Sequence, residues 1–272
     1  MSFRWSDGNC RVMGILNVTP DSFSDGNDYY DNDKAIARAI EMQFQGAEII
    51  DIGAESTRPG SLSVSPKQQI ERLLPIINEL KTQLTIPISI DTTSTKVAEA
   101  CFDAGAEIVN DTSAGTEDPS MLNWVASKEC PVVLMHRSAK PVLMQEKTQY
   151  ANVVDEVVDY LFERARVYES AGVDQKMICL DPGIGFGKKC DHNVSLTQHL
   201  KRLTDSPYAV LYGASRKSFI GELLNQKEPK RRDAASVAMA TWAARQSVDW
   251  VRVHNVNDTK SALQIESILE KV

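Results

Sequence analysis

Eight short apolar runs recur along this 272-residue chain, and each leads to a residue equipped for chemistry. Residues 12–16 lead to Asn17, 48–50 to Asp51, 86–90 to Asp91, and 107–109 to Asn110 and Asp111. Residues 131–135 lead to His136, 177–180 to Asp181, 209–212 to Ser215-Arg216-Lys217, and 250–251 to Arg252 and His254. Helical stretches separate the runs. Strand, polar tip and helix in alternation predict an α/β fold, a closed (β/α)8 TIM barrel filling residues 1–272 as a single domain. Active groups in such barrels gather at the C-terminal ends of the strands. A ring of Asn, Asp, His, Lys and Arg on that mouth predicts an enzyme acting on a small molecule.

Charge narrows the partners. The chain has 30 Lys and Arg against 37 Asp and Glu, a net charge of −7, which argues against nucleic acid or an anionic membrane as the ligand. Small-molecule substrates are expected instead, with no nucleic acid and no membrane. Five cysteines (Cys10, Cys101, Cys130, Cys179, Cys190) are odd in number, widely spaced and without a CxxC, as in a reducing compartment. Met1-Ser2-Phe3-Arg4-Trp5-Ser6 lacks the hydrophobic core of a signal peptide, and no apolar run approaches membrane-spanning length. The expected location is cytoplasmic.

The connecting segments are readable. Residues 33–45 carry Ala35, Ile36, Ala39, Ile40 and Phe44 on one helical stripe. Ser65, Pro66 and Gln68 form a helix start with a capping box, and Pro75 further along threatens that helix's continuity. Residues 152–171 are helical, with Gly172 as the stop, and 232–245 and 259–269 supply the last two helices. Segments 19–32, 54–64 and 137–150 lack a periodic pattern. They read as long loops on the catalytic face, the usual place for clamps and lids.

Two constellations carry chemistry. Ser215-Arg216-Lys217-Ser218 follows the seventh strand, and Arg252-x-His254 closes the eighth. The loops after these strands form the phosphate site of many barrels, and Arg58 in the second loop can reach the same mouth. Arg216 is either a phosphate ligand or a solvated cation. Asn17 is either a strand-end cap or an amide oxygen for Mg2+, which takes few protein ligands beside phosphate and water. The second constellation is Asp91, Asn110 and Asp181, with Asp51 alongside. Buried together they need partners, and a ring rich in N–H donors, such as an aminopyrimidinone, would supply them. Internal hydrogen bonding is the rival account for Asp51 and the favoured one for Asp111. Asp181-Pro182-Gly183-Ile184-Gly185-Phe186-Gly187-Lys188 lacks the P-loop and dinucleotide-binding spacing, and its glycines let Phe186 close over a flat ring. His136 is expected to support the wall, and His192 and His199 to be ordinary helix or loop residues.

In this order the motifs resemble those of the dihydropteroate synthase family of pterin-binding barrels, over nearly the whole chain. The signatures are Met13-Gly14-Ile15-Leu16-Asn17-Val18-Thr19-Pro20-Asp21-Ser22-Phe23-Ser24-Asp25-Gly26, then Glu55-Ser56-Thr57-Arg58-Pro59-Gly60, the Asp181 segment, and the two phosphate-site motifs. The resemblance implies that Asp91, Asn110, Asp181 and Lys217 hold a pterin. It implies that Asn17, Arg58, Arg252 and His254 handle the diphosphate and Mg2+, with Asn17 as the metal ligand. Thr57, Pro59, Phe23, Lys217 and Ser218 would shape a p-aminobenzoate pocket open to sulfonamides, and Lys217, Arg252 and Asp91 would be the catalytic residues. A homodimer through the last helices is also implied. The chain departs from the family pattern at Asn27, Ala54, Arg137 and Ala235, and for the extra cation at Arg137 the sequence offers no account.

The implied reaction joins (7,8-dihydropterin-6-yl)methyl diphosphate to p-aminobenzoate, giving 7,8-dihydropteroate and diphosphate. An aniline nitrogen is already nucleophilic, in keeping with the absence of a His–Asp or Cys–His pair. Two alternatives stand beside it: a pterin-barrel methyltransferase using methyltetrahydrofolate, and an inactive pterin-binding paralogue. The methyltransferase would have no use for the phosphate cluster.

Overall fold

The eight runs become eight parallel strands that close on themselves in sequence order, β8 pairing back to β1. They are β1 (Arg11–Asn17), β2 (Ile49–Gly53), β3 (Ile88–Asp91), β4 (Ile108–Asp111), β5 (Val132–Met135), β6 (Ile178–Asp181), β7 (Ala209–Tyr212) and β8 (Trp250–Val253). The computed structural model describes residues 3–19, 28–55, 61, 63–139 and 148–269, apart from the side chains of 28–31. Ten α-helices lie between and after the strands among the described residues: α1 (Asp28–Phe44), α2 (Pro66–Gln83), α3 (Thr95–Ala104), α4 (Ser120–Lys128), α5 (Val153–Ser170), α6 (Cys190–Gln198), α7 (Lys201–Thr204), α8 (Ser218–Leu223), α9 (Asp233–Arg245) and α10 (Val256–Leu269). The fold is a (β/α)8 barrel.

Two apolar layers result. One fills the space between strands and helices, from Ile50, Ile52, Val109 and Leu134 on the strands to Leu73, Val157 and Leu161 on the helices. The other fills the barrel, with Met13, Ile49, Ile108, Val133, Cys179 and Trp250 in mutual contact. Side chains alternate along a strand. The next inward positions after Ile49, Ile108, Cys179 and Trp250 are therefore Asp51, Asn110, Asp181 and Arg252. The polar ring thus lies one layer above an apolar plug. The opposite end is closed by Trp5, whose indole donates to the Met177 carbonyl at 2.8 Å and meets the Trp250 ring edge-on at 5.9 Å.

Several boundaries differ from the sequence expectation. Helix α1 begins at Asp28, before its apolar stripe does, and α10 begins at Val256, where Asp258 in the first turn favours the helix dipole. Helix α2 starts with the expected capping box and runs unbroken through Pro75. Pro75 is exposed, and the missing N–H falls on the solvent side, where a helix curves outward at low cost. Asn152 caps α5 by accepting from the Val154 and Asp155 amides, and Gly172 after it has a φ of 100°. Helices α6, α7 and α8 are too short for an apolar period to announce them.

Candidate active site

The strands bring the second constellation together as expected. Asp51, Asp91, Asn110 and Asp181 are all buried. Arg252 lies among them: its Nε donates to Asp51 Oδ2 at 2.6 Å and its Nη2 to Asp91 Oδ2 at 2.9 Å. Asn110 Nδ2 donates to the same Asp51 oxygen at 3.0 Å. Sequence alone could not choose between ligand contact and internal bonding for Asp51, and the internal bonds are what the structure holds. Arg252, expected beside a diphosphate, has two of its donors on the acids of the ring. Among the described residues, Asp51 Oδ1 and Asn110 Oδ1 are buried without a hydrogen-bond partner.

Burial dominates the electrostatics. It pushes the Asp91 carboxyl up to about 7, although the Arg252 guanidinium opposes the rise. Burial also raises Asp181, against the amide of Gly183, which donates to its Oδ1 at 2.7 Å, and against Lys217. Arg252 is itself penalised by burial, but Asp51 and Asp91 outweigh that and hold it charged.

Above the ring, Lys217 extends its Nζ over the Phe186 ring, 3.9 Å from the centroid. This cation–π contact joins the loop after β7 to the glycine loop after β6. Ser218 opens α8 directly after Lys217. Ser215 fixes His254: its Oγ accepts from the His254 amide at 3.1 Å and lies 3.0 Å from Nδ1. The two contacts pin the imidazole to the loop after β7. Asn17 ends β1 on the inward face shared with Met13, paired with Gly53.

Arg216 is an ion-paired residue and not a solvated cation, the second of its two readings. Its Nε and Nη2 grip Asp233 at 2.6 and 2.7 Å, with φ at 59°, and its amide donates to Ser236 Oγ at 2.9 Å. Arg137 also gains an account: it is ion-paired with Glu117, which accepts from Thr93 Oγ1 at 3.0 Å. Asp111 accepts from Ser113 and Gly115 in its own turn, as expected. His136 supports the wall, and His192 and His199 sit in and at the end of α6. All five cysteines are free. Phe23, Thr57, Arg58 and Pro59 lie outside the described residues. The sequence offered no role for Lys188, Asp233 or the partnership of Ser215 with His254, although all but Asp233 stand inside motifs already singled out.

The chain's relatives agree with this geometry. The family model described as pterin binding enzyme matches residues 13–254. A dihydropteroate synthase of Synechocystis sp. is 44% identical over 245 residues, spanning 90% of this chain and 85% of the relative. The Xanthomonas albilineans dihydropteroate synthase solved with 4-aminobenzoic acid superposes with a TM-score of 0.92 at 41% identity, covering 97% of this chain and 94% of that one. The Yersinia pestis dihydropteroate synthase solved with a sulfonamide drug gives 0.91 at 38% identity, covering 97% and 95%. Barrel, acid ring and family match together define a pterin-binding TIM-barrel enzyme, a transferase acting on a pterin-methyl group. Within that class the chain belongs to the dihydropteroate synthase family. Its activity is the condensation of (7,8-dihydropterin-6-yl)methyl diphosphate with p-aminobenzoate, and the methyltransferase alternative falls away.

Proposed function

We propose that Asp91, Asn110 and Asp181 take the N–H donors of the pterin ring, with Lys217 on its acceptors and Phe186 against its face. The observation that carries this reading is the buried ring itself. Three carboxylates and an amide share one layer with Arg252, and two acceptor oxygens, Asp51 Oδ1 and Asn110 Oδ1, have no partner among the described residues. A donor-rich flat ligand matches that surplus of acceptors. As the ring's donors engage Asp91, Arg252 turns its remaining N–H groups to the diphosphate beside His254 and Arg58. Charge growing on the leaving group is then met by cations already in place. The amine of p-aminobenzoate, held by Thr57, Pro59, Phe23, Lys217 and Ser218, forms the new C–N bond as the methylene–oxygen bond breaks.

Among the described residues no three His, Cys, Asp or Glu side chains are arranged to hold a metal ion. A single inward amide, Asn17, still fits Mg2+, which draws most of its oxygens from diphosphate and water. When bound there, Mg2+ would supply Lewis-acid neutralisation of the departing diphosphate.

A homodimer through the last helices is part of the reading. It is supported by Trp242 on α9 and by Ile265, Ile268 and Leu269 on α10, large apolar side chains left exposed. Free cysteines support a reducing compartment, the cytoplasm. No described helix is long and apolar enough to cross a membrane.

A coupled assay of diphosphate release tests the function. Release that needs both substrates and Mg2+, with 7,8-dihydropteroate formed in equal amount, is expected. Release without p-aminobenzoate, or none with it, would overturn the assignment.

A further inference from the structure

Lys188 is a lysine the condensation does not use, and it is buried inside the wall of the site. Its Nζ lies 2.9 Å from His136 Nδ1 and donates to the carbonyls of Gly183 at 2.9 Å, Phe186 at 3.1 Å and His136 at 3.3 Å. None of these partners carries a charge that could offset the buried ammonium. His136, pushed down to about 2 by burial and by Lys188, is neutral, so its Nδ1 offers a lone pair.

The contacts have a direction. Three of the four acceptors belong to the glycine loop or to the peptide it rests on, and the loop packs on His136 so closely that a Cβ at Gly183 would lie 1.9 Å from the His136 oxygen. Phe186, whose carbonyl Lys188 holds, carries the ring over which Lys217 lies. Tyr150 donates its hydroxyl to the Gly187 carbonyl at 3.2 Å, fastening the loop's far side. The titratable groups facing Lys188 are His136 after β5, Asp181 on β6 and Lys217 after β7, with Tyr150 beyond the loop.

We infer that Lys188 is a positioning residue for the pterin: by drawing the Gly183 and Phe186 carbonyls onto His136 it fixes the Phe186 ring and, through it, Lys217. This rests on the reading that Asp181 and Lys217 hold the pterin ring. Burial lowers Lys188 to about 7, against the pull of Asp181. The unfolded chain therefore binds more protons than the folded one above that pH, and keeping the lysine costs stability at neutral pH. A residue retained only for stability would behave in the opposite way.

The experiment compares Lys188→Met, His136→Leu and His136→Asn with wild type, using 6-hydroxymethylpterin in calorimetry and thermal melts. Lys188→Met keeps the stem and removes the ammonium; it should melt at the same or a higher temperature at pH 7 yet bind the pterin at least tenfold more weakly. His136→Asn retains an acceptor near the Nδ1 position and should stay within threefold of wild type, while His136→Leu should follow Lys188→Met. The ratio of wild-type to Lys188→Met affinity should shrink toward one as pH rises from 7 to 9. Lys188→Met binding within twofold of wild type overturns the inference, as does equal binding by the two His136 variants should Lys188→Met not fold. Asp181→Ala serves as the control: unchanged affinity there overturns the pterin-site reading instead.

Discussion

Asp51 and Arg252, 201 positions apart in the chain, meet at 2.6 Å between Oδ2 and Nε. The same oxygen accepts from Asn110 at 3.0 Å, so one buried carboxylate sets the place of both. Removing it strands a buried guanidinium with Asp91 alone. Asp51→Ala should cost about 3–5 kcal/mol in urea unfolding, the usual result of breaking a buried ion pair from one side. A loss below about 1 kcal/mol would mean that Arg252 finds another partner or water.

If Asp91 accepts from the pterin ring as proposed, pterin binding should depend on pH. Its carboxyl is raised from 3.8 to about 7. Between those values the folded protein holds more protons than the unfolded chain, so this group's contribution to stability falls as pH rises from about 4 to about 7 and is flat above. Accepting from the ring's N–H groups needs the ionised form. Affinity should therefore climb up to about tenfold per pH unit below pH 7 and level off above it. Calorimetry from pH 5 to 9 checks this, and Asp91→Asn should flatten the slope; a slope that survives the substitution assigns it to another group.

Ser215→Ala should act on one substrate. Without the hydroxyl, His254 loses the bond that fixes its ring, worth about 1 kcal/mol. KM for the pterin diphosphate should rise roughly fivefold. KM for p-aminobenzoate should hold. Equal changes in both constants would show that Ser215 shapes the whole loop instead of orienting His254.

Arg252→Lys tests the fork. Lysine keeps the charge but cannot span Asp51 and Asp91 while facing a leaving group. Turnover at saturating substrates should fall at least tenfold, because leaving-group charge grows toward the transition state. Wild-type turnover would place Arg252 in ground-state binding only.

Asp181→Ala should weaken pterin binding by about 2–4 kcal/mol, since the ring's donors lose a charged partner in a dry site. Titration of the pterin diphosphate measures it, and a change under twofold would remove Asp181 from the pocket.

The barrel was legible because short apolar runs ending in polar tips leave a local signature, and Asp91, Asn110 and Asp181 stand at such tips. Pairings across the barrel leave none. Nothing local in the sequence links Arg252 to Asp51, Arg137 to Glu117 or Arg216 to Asp233, because the first pair forms across the closed ring of strands, the second between the loops after β4 and β5, and the third by the docking of α9 on an earlier loop. Arg216 was misleading for a further reason: it stands between Ser215 and Lys217, both turned to the mouth, while its own φ of 59° swings it toward α9. The short helices α6 to α8 were hidden by length, with too few turns for an apolar stripe to repeat.

Gly183 has a consequence for inhibitor design. With φ at 65° and no room for a Cβ beside the His136 carbonyl, the position accepts no other residue without moving the loop. At Gly185, with φ 83°, a Cβ would stand 3.1 Å from Lys217 Cδ, a tighter contact than most but one that the flexible lysine can yield to. A compound that rests on the backbone of this loop leans on atoms that mutation cannot easily alter, because a side chain added at Gly183 runs into the His136 backbone and one at Gly185 presses on Lys217. Escape from such a compound would have to begin elsewhere in the site, and a selection experiment would find the glycine loop unchanged among the survivors.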